Sequence, residues 1–125
     1  MNERILVVDD EKPIRELLRH KLSVAGFEVV TAKNEKEFWD CAFSQKPQLI
    51  ILDIWLKNRI GTDVYSSLVA SGFDKEIPVI FITALMEGQL SDVPVAPGKK
   101  YALYRKPFDF ERLLHDIHSL LQESA

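Results

Sequence analysis

Asp9 with Asp10, Asp53 and Thr83 each stand directly after a short apolar run of this 125-residue chain, and Lys106 follows the strand-like run Tyr101 to Arg105. Three carboxylates brought together repel one another, and at least one has its pKa raised unless a cation neutralises the cluster. A divalent ion does so, and all-oxygen ligation with room for water suits Mg²⁺, with Mn²⁺ second. Lys106 adds a fixed positive charge. A carboxylate set between a hard cation and a lysine, with a hydroxyl at hand, is laid out to accept a phosphoryl group. The cation and lysine would offset charge on the equatorial oxygens while Asp53 attacks in line. Singly, each residue has a plainer explanation: a turn acid, a strand-end threonine, a surface lysine. Only a fold that brings all of them to one place makes the chemistry possible.

The elements that must do this can be read in order. Leu49-Ile50-Ile51-Leu52, entered through Lys46-Pro47, is a continuous apolar run of the kind buried on both faces of a parallel sheet. Arg4 to Val8 is a second such run, ending in Asp9-Asp10-Glu11. Pro13 fits the first turn of a helix whose apolar positions are Ile14, Leu17, Leu18, Leu22 and Ala25, with Gly26 as its C-cap. Phe27 to Thr31 reads as a strand. Asn34 with Glu37 resembles a capping box opening the helix of Phe38, Cys41 and Ala42. Gly61-Thr62 opens a helix with Val64, Leu68 and Val69 inward, ending near Gly72. Ile77 to Ile82 and Tyr101 to Arg105 give two more strands. Asp109 caps a closing helix with Phe110, Leu113, Leu114, Ile117, Leu120 and Leu121 on its inner face.

This alternation implies an α/β fold: a doubly wound five-stranded parallel sheet, a flavodoxin-like three-layer sandwich. Strand order 2-1-3-4-5 brings the first and third strands together where the order reverses, and ligands of such sheets bind at that crevice. The fourth helix is atypical. Met86 to Lys100 contains Pro94 and Pro97, and each proline inside a helix costs about 3 kcal/mol. At most a short helix near residues 87–92 is expected there, followed by an irregular segment.

Length argues for a single domain over 1–125. A net charge of -3 offers no broad attraction to nucleic acid or anionic lipid, and Lys99, Lys100, Arg105 and Lys106 form only a local cluster. The one cysteine, Cys41, excludes an internal disulfide and falls in a helical apolar pattern, as a structural thiol would. No apolar run approaches the ~18 residues of a membrane span, and the start of the chain does not read as a signal peptide. A cytoplasmic protein is expected.

Over nearly its whole length the sequence resembles the receiver domain of two-component response regulators. The matching pieces are Ile5 to Glu11, Leu49 to Ile54, Gly61, Ile80-Phe81-Ile82-Thr83-Ala84 and Lys106-Pro107-Phe108. The resemblance implies phosphorelay signal transduction, with Asp53 as phospho-acceptor and a phosphohistidine on a sensor histidine kinase or phosphotransfer protein as donor. It implies Asp10 as a direct Mg²⁺ ligand, Asp9 acting largely through water, and the carbonyl of Trp55 completing the protein ligands. Thr83 and the Ala84 amide would hold phosphoryl oxygens, and Lys106 would pair with the phosphoryl group or with Asp53. Such a domain is a phospho-acceptor that assists its own phosphorylation and dephosphorylation, not an enzyme. It switches a surface for an output partner, including a phosphorylation-dependent homodimer.

Other readings fit less well. An aspartate-nucleophile phosphatase of the haloacid dehalogenase type wants a second acid two residues beyond the nucleophile, where this chain has Trp55. A docking-only receiver usually lacks an acid or the lysine, and none is missing. Flavodoxin-like cofactor binding wants a glycine- and hydroxyl-rich loop after the first strand, where acids stand instead. Two departures from the receiver pattern are local: Lys57 where a proline is common, and Leu103 where the switch residue is usually aromatic.

Overall fold

Arg4–Val8 (β1) and Leu49–Asp53 (β3) lie side by side in parallel, and Glu28–Ala32 (β2) flanks β1 on its other edge. Val79–Thr83 (β6) pairs with β3, and Tyr101–Arg105 (β7) closes the sheet. The order β2-β1-β3-β6-β7 is the expected 2-1-3-4-5 arrangement when only sheet strands are counted. The structure is a computed structural model that describes residues 3–56, 59–74, 76–83, 101–106 and 108–124. The expected irregular segment from Met86 to Lys100 lies outside the described residues.

Side chains alternate across a strand, and two apolar layers follow from that. Leu6, Val8, Ile50, Leu52, Val79 and Phe81 face Glu35–Ser44 (α2) and Gly61–Ala70 (α3), meeting Phe38, Ala42, Val64 and Leu68. Ile5, Val7, Leu49, Ile51, Ile80 and Ile82 face Lys12–Val24 (α1) and Phe110–Ser124 (α4), meeting Leu18, Leu22, Leu113 and Ile117. β3 and β6 are buried along their whole length, as continuous apolar runs covered on both faces must be.

The helix ends are set by local chemistry. Past α1 the chain turns through Gly26 at φ 100°, a conformation glycine adopts freely. Phe27 N–H then reaches back to the Leu22 carbonyl and Gly26 N–H to that of Ser23, closing a Schellman motif. Asp109 caps α4 by accepting from the Glu111 N–H at 2.9 Å. Asn34 Oδ1 accepts from the Glu37 N–H at 2.9 Å, as half of a capping box. The other half differs, because Glu37 Oε1 accepts from the Lys33 N–H, one residue earlier than expected. Asn34→Ala should therefore cost about 1 kcal/mol of stability, measured as a lower urea midpoint at unchanged slope.

The structure corrects three local expectations. Leu17 is 48% exposed and Ala25 caps the end of α1, so neither belongs to the core. Tyr65, absent from the expected inner face of α3, is fully buried and packs edge-to-face on Phe81. Beyond β3 the chain forms a short antiparallel hairpin, Trp55–Leu56 (β4) against Arg59–Ile60 (β5). Nothing in the apolar pattern signalled it.

Candidate functional site

The register fixes which residues meet at the carboxyl ends of the strands. Val8 is level with Leu52, so Asp9 comes level with Asp53 one residue further on. Asp9 continues the alternation of Ile5 and Val7, and Asp53 that of Leu49 and Ile51, so both lean to the α1/α4 side. Asp53 is level with Ile82, and Ile82 with Tyr104. Lys106 therefore starts two residues beyond the level of Asp53, on the same side as Tyr104. Its four-carbon stem spans that offset backwards, placing Nζ 3.3 Å from Asp53 Oδ2.

Backbone hydrogen bonds hold these strand ends still. The Asp9 N–H donates to the Ala32 carbonyl, the Ile54 N–H to that of Ile82, and the Lys106 N–H to that of Thr83 at 2.7 Å. The Asp9 carbonyl accepts from Arg15 Nη1. Tyr104 braces the same end through a short hydrogen bond from its hydroxyl to Asp116 on α4. Burial and that acceptor push the Tyr104 phenol up to about 12.

Three carboxylates converge. Asp9, Asp10 and Asp53 each offer an oxygen within 4.8 Å of the others, a set that could hold a metal ion. Asp9 is wholly buried and Asp53 nearly so, while Asp10 is partly open. Burial pushes the Asp9 carboxyl above its ordinary value, against the opposing pull of the Glu11 N–H and of Lys106. Its Oδ1 accepts that N–H at 2.9 Å. Its Oδ2 lies 3.0 Å from Lys106 Nζ, an ion-pair distance, yet accepts no hydrogen bond among the described residues. A buried oxygen with charge and no hydrogen bond, beside two more carboxylates, is what a hard cation would satisfy. The donor set fits Mg²⁺ or Mn²⁺.

Lys106 is shared more widely than expected. Its Nζ lies 2.7 Å from Glu11 Oε2 as well as 3.0 Å from Asp9 and 3.3 Å from Asp53. Burial alone would lower its pKa. The hydrogen bond to Glu11, the close contact with Asp9 and the charges of Asp53 and Asp9 outweigh that, holding the ammonium well above its ordinary value. Glu11 is the site residue that sequence reasoning missed. Glu11 stands on the loop after β1, and only the reach of its side chain brings it to Lys106.

The other expected members divide. Thr83 is fully buried at the end of β6, but it continues the alternation of Val79 and Phe81, opposite in sense to that of Asp53. Its carbonyl is engaged by Lys106, so the strand end is pinned even though the side chain starts from the other side. Trp55 opens β4 two residues beyond Asp53. Ala84 lies outside the described residues.

A doubly wound sheet of order 2-1-3-4-5 with an acid pair, a lone aspartate and a lysine at its reversal point is a receiver-type signalling fold. The response regulator receiver domain model matches residues 5–118, and the chain belongs to that family. Response regulator MprA of Mycolicibacterium vanbaalenii is 33% identical over 125 residues, 100% of this chain and 53% of the relative. The probable transcriptional regulator ycf27 of Porphyra purpurea is 38% identical, over 98% of this chain and 49% of its own length. The chain thus spans about half the length of these curated relatives. Among solved structures, response regulator protein TrrA from Thermotoga maritima in complex with Mg(2+)-BeF is 35% identical at a TM-score of 0.78, covering 94% of this chain and 98% of that one. A CheY-like receiver domain protein from Methanospirillum hungatei reaches 0.84 at 25% identity, covering 99% of this chain and 97% of that one. The function class is accordingly phosphorelay signalling. No helix among the described residues is long and apolar enough to cross a membrane.

Proposed function

We propose that Asp53 is the phospho-acceptor of this receiver domain, and that residues 1–125 act as one such domain. The observation that carries the reading is the meeting of Asp9, Asp10 and Asp53 within 4.8 Å, with Lys106 Nζ 3.3 Å from Asp53. Asp53 Oδ attacks the phosphorus of a phosphohistidine on a sensor kinase or phosphotransfer protein. The P–N bond breaks, its electron pair stays on the imidazole nitrogen, and that nitrogen takes up a proton. Water later attacks the phosphorus, releasing inorganic phosphate and restoring the carboxylate.

Asp10, Asp9, Asp53 and the Trp55 carbonyl would hold Mg²⁺, which offsets negative charge on the transferring phosphoryl group. Mn²⁺ would serve in the same set. Lys106 adds positive charge beside Asp53. The Thr83 hydroxyl and the Ala84 amide take the remaining phosphoryl oxygens. The domain turns over no external substrate; it is a phospho-acceptor that aids gain and loss of its own phosphoryl group. Phosphorylation changes a surface read by an output partner or by a second phosphorylated copy. The setting is cytoplasmic, and nucleic acid is not contacted by this domain itself.

The test is incubation with a small-molecule phosphodonor and Mg²⁺, read by intact mass. One phosphoryl group should appear on the wild-type chain, none on Asp53→Asn, and little on Asp10→Ala or with chelator present. Undiminished labelling of Asp53→Asn would refute the assignment.

A further inference from the structure

We infer that Glu11 is a positioning residue that latches Lys106 in the resting domain and competes with the phosphoryl group for its ammonium. The inference rests on Asp53 as acceptor, and it concerns a residue to which that chemistry gives no part. The contact from Lys106 Nζ to Glu11 Oε2, at 2.7 Å, is shorter than those to Asp9 and Asp53, at 3.0 and 3.3 Å. An ammonium has three N–H donors. Hydrogen bonds to Glu11 and to Asp53 already take two of them. A phosphoryl group on Asp53 brings about -1.5 to -2 charge units and three strong acceptor oxygens. One donor is left, and Asp9 Oδ2 at 3.0 Å also draws on the ammonium, so Lys106 turns fully toward the phosphoryl oxygens only by loosening a carboxylate contact.

Which one it gives up follows from exposure. The side chains of Asp9 and Asp53 are 0% and 5% exposed, so neither can be rehydrated when it loses its partner. The Glu11 side chain is 57% exposed and returns to water at little cost. Its backbone does not need to move, because the Glu11 N–H stays on Asp9 Oδ1. The side chain alone swings. Glu11 thus sets how readily Lys106 is handed over, holding back acceptance without contributing to it.

What a partly exposed ion pair is worth bounds the change at roughly five-fold, about 1 kcal/mol. The test compares wild type, Glu11→Gln and Glu11→Asp in saturating Mg²⁺. Beryllofluoride is titrated in, followed by ¹⁵N NMR, and phosphodonor labelling rates are measured in parallel. Glu11→Gln should bind beryllofluoride tighter, by up to about five-fold, and label faster by a similar factor. Glu11→Asp, one methylene short of Lys106, should behave like Glu11→Gln. The Lys106 ammonium resonance should shift in both variants before any beryllofluoride is added, a readout that a purely structural Glu11 would leave in place. Wild-type behaviour of Glu11→Gln would overturn the latch alone. Wild-type behaviour of Glu11→Asp would also overturn it, since bare charge rather than contact would then be the cause. Failure of the wild-type chain to take up beryllofluoride at all would overturn the acceptor reading and the latch with it.

Discussion

Lys106→Met should lower the stability of the metal-free domain by about 3 kcal/mol, the lower end of what breaking a buried ion pair costs. The Lys106 side chain is 12% exposed and faces two carboxylates with almost no access to water. Removing the ammonium leaves Asp9 and Asp53 as buried like charges, and Asp9 already sits above its ordinary pKa through burial. Loss of the Glu11 contact adds little, because that carboxylate can be hydrated. The low end of the range applies for that reason. A divalent cation supplies the missing charge, so Mg²⁺ at a hundredfold its dissociation constant should return about 2.7 kcal/mol. The variant would then be nearly as stable as the metal-free wild type.

The pH dependence of that difference has a definite sign. The Lys106 pKa is raised in the folded chain, so its pairing stabilises fully below the unfolded value of about 10.4 and fades as pH rises beyond it. The gap between wild type and Lys106→Met should hold through neutral pH and narrow only in the alkaline range. Urea unfolding at pH 7 and above pH 10.5, with and without Mg²⁺, measures both effects. A Lys106→Met variant as stable as wild type without metal would mean that the cluster is already neutralised by protonation.

Most of this site was legible because its residues interrupt apolar runs. Asp53 and Thr83 end strands buried on both faces, Asp9 and Lys106 follow strands of the same sheet, and parallel order brings the strand ends together. Glu11 was less visible, since its role depends on the reach of a side chain from a loop and not on strand period. The hairpin of β4 and β5 escaped because two-residue strands carry too little pattern to register. Tyr104 points toward α4, where it meets Asp116. The pairing itself could not be read, because nothing in the sequence aligns position 104 with position 116. Leu17 was misplaced for a geometric reason. Successive helical residues turn by about 100°, so a stripe counting both Leu17 and Leu18 is wider than the face that packs.

Ile51→Ala should cost about 2–5 kcal/mol, whereas Leu17→Ala should stay within about 0.5 kcal/mol. Both remove side-chain carbons from apolar residues, and composition alone does not tell them apart. Ile51 is 0% exposed, with Val7 and Ile80 as its neighbours across the sheet. It also packs beneath α1 and α4, in the layer of Leu18, Leu22 and Leu113. Truncation leaves a cavity enclosed on all sides, and helices pinned by their own caps can close it only in part. Domains of this kind have only about 5–15 kcal/mol of stability, so the loss is a large fraction of the total. Leu17, at 48% exposure, leaves no enclosed cavity when shortened. Ile51 is also two residues before Asp53 on the same side of β3, so the cavity opens directly under the carboxylate cluster. The backbone bond from the Ile54 N–H to the Ile82 carbonyl is untouched and should keep Asp53 in register. Urea unfolding gives the stability, and phosphodonor labelling corrected for folded fraction gives the acceptor's competence. A midpoint shift confined to Ile51→Ala, with labelling per folded molecule near that of wild type, is the expected result. A similar loss for both variants would mean that Leu17 packs against the core after all.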